Sequence, residues 1–418
     1  MRTTTLAAFF SLAVALPCFA NDDWPQFRGP TQQGHSDSSG VPLKWSETQG
    51  VVFKTPIPGE GWSSPVVMGD QVWMTTATQG GKSLRAVCVD RNHGKIVHDV
   101  EVFALSKLDP KNDFNSYASP TPVLEPGRVY VSFGNYGNAC LDAKTGRPIW
   151  KSQELKLDHK EGPGSSPIIY RNLFILHCDG TDAQYVAALD KETGKLAWRT
   201  DRRTDYGGKP GDLRKAYDIP LIIPGAGGAG DRMISVAAYR VFCYDPADGR
   251  ETGSLAIPGF SVVPRPVYGD GVVYVCTGYM QSELWAVKTD ANANMNDANV
   301  LWKTKQGVPF KPSIILAGPR LYMVSDNGIA RCLDAKTGEQ VWQKRLEGKY
   351  TASPVCAEGR VYFSSEQGLT TVIATDPEAK QAEVLAENEL EGRFMASPAI
   401  AGKSMFLRTD KNLYRIDR

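Results

Sequence analysis

Hydrophobic positions in this chain come in short runs rather than on a helical period. The stretch from Lys311 to Leu346 reads KPSIIL, a Gly-Pro turn, RLYMVS, the turn DNG, IARCLD, AKTG and EQVWQKRL. Short runs rich in β-branched and aromatic residues, punctuated by Gly, Pro, Asn and Asp, predict strands. Four such runs joined by tight turns predict one four-stranded antiparallel unit. The unit recurs along the chain. Asp90, Asp142, Asp190, Asp245, Asp290, Asp334, Asp376 and Asp417 each end a short apolar run, at intervals of roughly 40 to 55 residues, within the period of propeller blades. The pattern therefore predicts an all-β fold, an eight-bladed β-propeller of four-stranded antiparallel blades.

The local chemistry of each unit is repetitive too. CLDAKTG occurs at Cys140 and again at Cys332, and five Asp-x-x-x-Gly segments begin at Asp90, Asp142, Asp190, Asp245 and Asp334. An Asp carboxylate accepts from backbone N–H groups two or three residues on, and Gly takes the positive φ that closes the turn, so these aspartates are read as structural. Trp150, Trp198 and Trp342 each follow their Asp at one fixed spacing, with Trp302 displaced by a polar insertion. An aromatic at one place in every unit is expected to pack between neighbouring blades. The last unit supplies only three strands before Arg418. Val52-Phe53-Lys54-Thr55 matches Leu301-Trp302-Lys303-Thr304, so an N-terminal strand should complete the C-terminal blade and remove a free sheet edge.

Charge and targeting narrow the setting. Lys plus Arg is 47 against 46 for Asp plus Glu, a net charge of +1 in 418 residues, which argues against a nucleic-acid partner or an anionic membrane surface. Arg2, the apolar run Leu6–Leu16 and Cys18-Phe19-Ala20 have the form of a secretory signal peptide, 1–20, cleaved after Ala20. Pro17 stands where a lipobox wants Gly or Ala, which disfavours lipidation of Cys18. No later run is long and apolar enough to span a bilayer. The expected location is periplasmic or secreted. The expected division is a signal peptide, an N-terminal arm at 21–50 whose Trp24, Phe27 and Trp45 lie on the propeller, and a single propeller at 51–418. Seven cysteines remain after Cys18. Cys88, Cys140, Cys243 and Cys332 occupy equivalent positions that the repeat holds apart, so they are read as buried small hydrophobes. No CxxC or adjacent pair is present.

LDAKTGRPIW, LDKETGKLAW and LDAKTGEQVW, each set before a Ser-Pro or similar strand start, resemble the tryptophan-docking repeats of pyrroloquinoline quinone (PQQ)-like β-propellers. The resemblance spans Val51 to Arg418. It includes quinoprotein alcohol dehydrogenases and the non-enzymatic propeller lipoprotein of the outer-membrane barrel-assembly machinery. For the dehydrogenases it implies an adjacent-cysteine disulfide, a calcium site of Glu, Asn and Asp, and a catalytic Asp. This sequence lacks the Cys-Cys pair, and the calcium ligands do not map onto it residue by residue. No catalytic residue, metal or cofactor is therefore predicted. PQQ with calcium enters only under an alternative, a PQQ-dependent dehydrogenase of alcohols or sugars.

Other motifs carry less. GAGGAG at 225–230 satisfies G-x-G-x-x-G but precedes a strand-like run rather than a helix, so it is read as a turn. The five histidines, His35, His93, His98, His159 and His177, lack metal-ligand spacing. Topology gives the remaining candidates, because loops entering the innermost strands and loops between second and third strands share one face. Trp62, Tyr117, Tyr217, Arg265, Lys311, Tyr350 and Arg393 belong to the first set. Asp179, Tyr279, Asp326 and Glu366 belong to the second. An aromatic mouth with mixed charge suits a peptide, a glycan or a small polar ligand. The polar loop Thr204 to Asp218 is long for a blade connection and is a candidate for specificity. The expected function is a non-catalytic binding or scaffold propeller.

Overall fold

A computed structural model describes residues 22–225, 230–280, 282–289 and 295–418. Residues 1–20, expected from sequence to be a signal peptide, most of the GAGGAG run and Asp290 lie outside those residues. Eight sheets surround a central axis, each built on four antiparallel strands that run in sequence order from axis to rim in blades 1 to 7, with blade 8 taking its outermost strand from the N-terminal end. Blade 6 consists of Ile315–Ala317, Arg320–Val324, Ile329–Asp334 and Gln340–Arg345. Its first strand starts later than KPSIIL suggests. The Ser313 N–H bonds to Ser353 of the next blade rather than to its own neighbour strand, so the extended segment before Ile315 belongs to the channel lining.

Blade 8 closes the ring as the N-terminal match predicts. Val51–Pro56 lies antiparallel on Asn412–Ile416, followed inward by Ser404–Arg408 and Ala399–Ala401. The aspartates of the turns work as expected. Asp142 Oδ1 accepts from the Thr145 N–H at 2.7 Å, Asp190 Oδ1 from the Thr193 N–H at 2.9 Å, and Asp334 Oδ1 from the Thr337 N–H at 3.0 Å. The closing glycine has a second duty. A Cβ on Gly194, at φ +71°, would lie 2.5 Å from Trp150, and one on Gly249 would lie 2.4 Å from Trp198. Each docking indole thus lies flat on the glycine of the next blade, where only a hydrogen fits. Phe53 on Gly94 and His98 against Gly146 fill the same place in blades 8 and 1.

Aiming that ring requires a backbone irregularity. In all eight blades the pairing of the outermost strand shifts by one residue at the same point, leaving Val52, Val97, Ile149, Ala197, Thr252, Leu301, Val341 and Leu385 as bulged positions. A bulge puts the following side chain on the face it would otherwise miss and blunts the outer edge against pairing with other chains. The seven described cysteines are buried and form no disulfide.

The arm enters the channel from the face opposite the candidate loops. Trp24 exchanges two backbone hydrogen bonds of 2.8 Å with Val67 of blade 1, and the Leu124 N–H of blade 2 donates to Pro25 O at 2.8 Å. Arg28 reaches Ile314 O beside blade 6 at 2.6 Å, and Gln33 Oε1 accepts from Tyr268 N of blade 5 at 2.6 Å. His35–Ser36 then runs parallel to Val355–Ala357 as a fifth strand on the axial edge of blade 7. The chain leaves along blades 7 and 8, with Trp45 stacked on Tyr362 at a centroid distance of 6.3 Å. Residues 22–36 therefore close one end of the channel.

Candidate functional site

Seven of the eight blades place a proline immediately before the innermost strand, and the residue two before the strand is Ser or Thr in six: Ser64, Thr121, Ser166, Ser313, Ser353 and Ser397. Proline holds its predecessor extended and donates no N–H, so these segments cannot complete a ladder with their own blade. They bond around the axis instead. Ser64 N donates to Thr121 Oγ1 at 3.0 Å, Thr121 N to Ser166 Oγ at 2.8 Å, Ser313 N to Ser353 Oγ at 3.0 Å, Ser353 N to Ser397 Oγ at 2.9 Å, and Ser397 N to Ser64 Oγ at 3.1 Å. Arg265 N donates to Ser313 Oγ at 3.0 Å, while Ile219 in blade 4 interrupts the belt.

Above this belt lies a cup of about 680 Å³, open at one end and floored by Phe27 of the arm. Loops entering blades 2, 3 and 4 raise its wall on one side. Trp62, Phe114, Tyr217, Phe260, Tyr279 and Phe310 give the wall an aromatic character. Its charges are neutralised in place. Lys215 lies 3.6 Å from Glu161 and also bonds Asp212, which Lys160 approaches at 2.9 Å. Lys311 sits 4.1 Å from the Phe114 centroid, 3.4 Å from Asp326 and 3.6 Å from Glu366. Arg393 pairs with Glu366 at 3.1 Å, and Thr351 Oγ1 donates to the same carboxylate at 2.6 Å.

Trp62, Tyr217, Tyr279 and Lys311 thus line the cup, and Asp326, Glu366 and Arg393 stand behind Lys311 at its rim. Tyr117 stands outside, its hydroxyl donating to Asp109 O at 2.8 Å. Asp179, Arg265 and Tyr350 are buried away from the opening, for three different reasons. Arg265 turns down the axis and donates to Phe27 O, Gln32 Oε1 and Pro220 O, tying the arm to the channel. Tyr350 packs between blades 6 and 7 and donates to Glu347 O at 3.0 Å. Asp179 belongs to a closed ionic cluster in blade 3.

That cluster has the order of a nucleophile–base–acid relay, with Ser235 Oγ 3.0 Å from His177 Nδ1 and His177 Nε2 3.2 Å from Asp179 Oδ2. Arg202 removes that use. Its guanidinium donates to Asp179 at 2.7 Å, to Ser235 at 2.8 Å and lies 3.0 Å from His177 Nδ1, so the lone pair that would take the serine proton is already engaged. Burial pushes the Asp179 carboxyl up, but the Arg202 charge, His177 and the hydrogen bonds from both together outweigh that and hold it below its ordinary value. Burial, aided by Arg202, pushes the His177 imidazole down. The cluster is sealed and structural. His159, in the loop entering blade 3, is also buried neutral, pushed down to about 4 by desolvation, and its Nε2 accepts from the Asn135 N–H at 3.2 Å.

Phe27, Phe114, Lys215, Phe260 and Phe310 are wall residues that topology from sequence did not single out. They lie in the arm and in loops of non-repeating length. The belt hydroxyls had a signal in the Ser-Pro or Thr-Pro that precedes five of the blades, though the repeat alone marks a strand start and says nothing of the axis.

Among the described residues, no group of three or more His, Cys, Asp or Glu side chains comes together as a metal site. Calcium takes six to eight oxygen ligands, several from carboxylates, and the carboxylates of this cup are committed to lysine and arginine. The site therefore does not fit a calcium-held quinone.

Fold and site together define the class: an eight-bladed β-propeller of PQQ-like repeats with a blind axial cup. The chain belongs to the family described as outer membrane protein assembly factor BamB, whose profile matches residues 45–205 and 182–418. Among curated proteins it is similar to quinohemoprotein alcohol dehydrogenase ADH-IIG of Pseudomonas putida, 24% identical over 56% of this chain and 33% of the relative. It is also similar to ADH IIB of the same organism, 28% identical over 32% of this chain and 19% of the relative. The matches span a third or less of those relatives' own length. Among solved structures it superposes on BamB from Moraxella catarrhalis with a TM-score of 0.60 at 12% identity, over 88% of this chain and 99% of that one. A europium-containing methanol dehydrogenase gives 0.67 at 12% identity, over 96% and 99%. These likenesses carry the fold. No helix among the described residues is long and apolar enough to cross a membrane.

Proposed function

We propose that this chain is a periplasmic or secreted, non-catalytic binding propeller whose cup engages a peptide, a glycan or a small polar ligand, as part of a protein scaffold. The observation that carries this reading is the pairing of the cup's carboxylates. Glu161, Asp212, Asp326 and Glu366 each have a cationic partner within 3.6 Å, leaving aromatic walls and hydroxyls but no free general base. A general base needs an available lone pair within reach of the proton it removes. Membership of the BamB family supports a protein partner.

The curated relatives favour a second reading, a PQQ-dependent oxidoreductase of alcohols or sugars, because both are named quinohemoprotein alcohol dehydrogenases. One experiment separates the two. The purified protein is incubated with PQQ and calcium, then assayed for the quinone absorbance it retains and for dye reduction with a panel of alcohols and sugars. Neither signal is expected. Retained PQQ together with substrate-dependent dye reduction would overturn the binding reading.

A further inference from the structure

The cup is a blind pit. The arm seals the channel below it, so a polymer cannot thread through and can enter only by an end. Which end is set by the floor. Each belt hydroxyl is one donor and a pair of acceptor lone pairs. In Ser64, Thr121, Ser166, Ser313, Ser353 and Ser397 a backbone N–H from the preceding blade takes one of the two acceptor lone pairs. None of the six O–H protons has an acceptor among the described residues, and all six residues line the cup. Hydroxyl donors therefore ring the base of the pit.

Buried positive charge lies beneath the belt in Arg28 and Arg265 and beside it in Arg408, which donates to Ser63 and Thr75, with the buried Asp218 opposing Arg265. Arg28, Arg265 and Arg408 are 1 to 3% exposed and have no carboxylate at ion-pair distance among the described residues. Arg28 Nε and Nη1, Arg265 Nε and Arg408 Nε also lack hydrogen-bond partners. Buried positive charge acts across a low dielectric and favours an anion above it. An ammonium terminus would meet donors and cations, whereas a carboxylate would meet its complement.

We propose that the cup recognises the C-terminal carboxylate of a peptide chain, held by the serine belt, with the last apolar side chains clasped by Trp62, Phe114, Tyr217 and Phe310. This deepens the binding reading and rests on it. Capture of a chain end by convergent donors is an established mode of peptide recognition. Free carboxylic acids share the head group but lack a chain to fill the wall.

The test uses two display libraries of random heptapeptides on the full mature protein, one with free C-termini and one with both ends fused. Enrichment from the free-ended library alone is expected. Enrichment from the fused library alone would overturn end recognition and leave the binding reading standing, while enrichment from neither would overturn the proposal and confine the binding reading to a glycan or a small polar ligand. A selected heptapeptide is then titrated calorimetrically as the free acid and as the C-terminal amide. The amide should bind at least tenfold more weakly, and equal affinity would refute the proposal without any question of misfolding.

Discussion

His159 gives the wall of the cup a definite response to acid. Its Nε2 accepts a hydrogen bond from Asn135 N, an arrangement that requires the neutral ring, and desolvation pushes its pKa from 6.5 to about 4. Asp158, Asp182 and Asp109 face it and pull the other way, while His177 adds to the depression, and burial prevails. The sign follows from proton binding. Below pH 6.5 the unfolded chain takes up a proton that the folded chain refuses, so stability present above 6.5 is lost as the pH falls. Between 6.5 and pH 5 the loss is 1.5 pH units at 1.36 kcal/mol each, about 2 kcal/mol. The assay is urea unfolding followed by tryptophan fluorescence at pH 7 and pH 5, on the parent and on His159→Gln. Glutamine offers Oε1 to Asn135 but does not titrate. The parent should lose about 2 kcal/mol more than the variant over this interval. Equal losses would refute the assignment of a buried, neutral His159.

Three further outcomes follow from contacts already described. Gly194→Ala should destabilise by about 2 kcal/mol or more in denaturant titration, since it adds a steric clash with Trp150 to the cost of a left-handed alanine, whereas Gly127→Ala, with open space around its Cβ, should cost only about 1 kcal/mol. Arg202→Met leaves the Asp179 carboxylate buried beside His177 alone and should cost about 3 to 5 kcal/mol by the same measurement. Deleting Val51–Pro56 exposes the edge of Asn412–Ile416, and size-exclusion chromatography should show a larger hydrodynamic radius or association through that edge.

The parts legible in sequence are those the fold repeats. Asp142, Asp190 and Asp334 declared their turns, and the Val52 to Thr55 match declared the closure, because one physical demand recurs in each blade and leaves the same residues behind. The cup was only half legible. Trp62, Tyr217, Tyr279 and Lys311 were reached from topology, since loop order fixes which face a residue occupies. Topology does not fix whether a side chain points out or in, so Arg265 and Tyr350 were placed at the mouth when one anchors the arm and the other fills a blade interface. Phe27 could not have been assigned to the floor, because nothing in the arm's composition reveals that it threads the channel. Arg28 and Gln33 make their contacts with residues more than two hundred positions away.

The closure of blade 8 also dictates an order of events. Val51–Pro56 is synthesised more than 350 residues before its partner Asn412–Ile416. The arm before it must end inside a ring whose blades do not yet exist. Contacts of such sequence separation form slowly, because most of the chain must be ordered before they can be made. The amino-terminal segment, rich in aromatic side chains, therefore waits unpaired until its partner strand has been made, and the ring is complete only when the two meet in blade 8. Interrupting the last strand should strand the first, so damage to either end of the chain has the same consequence for the whole.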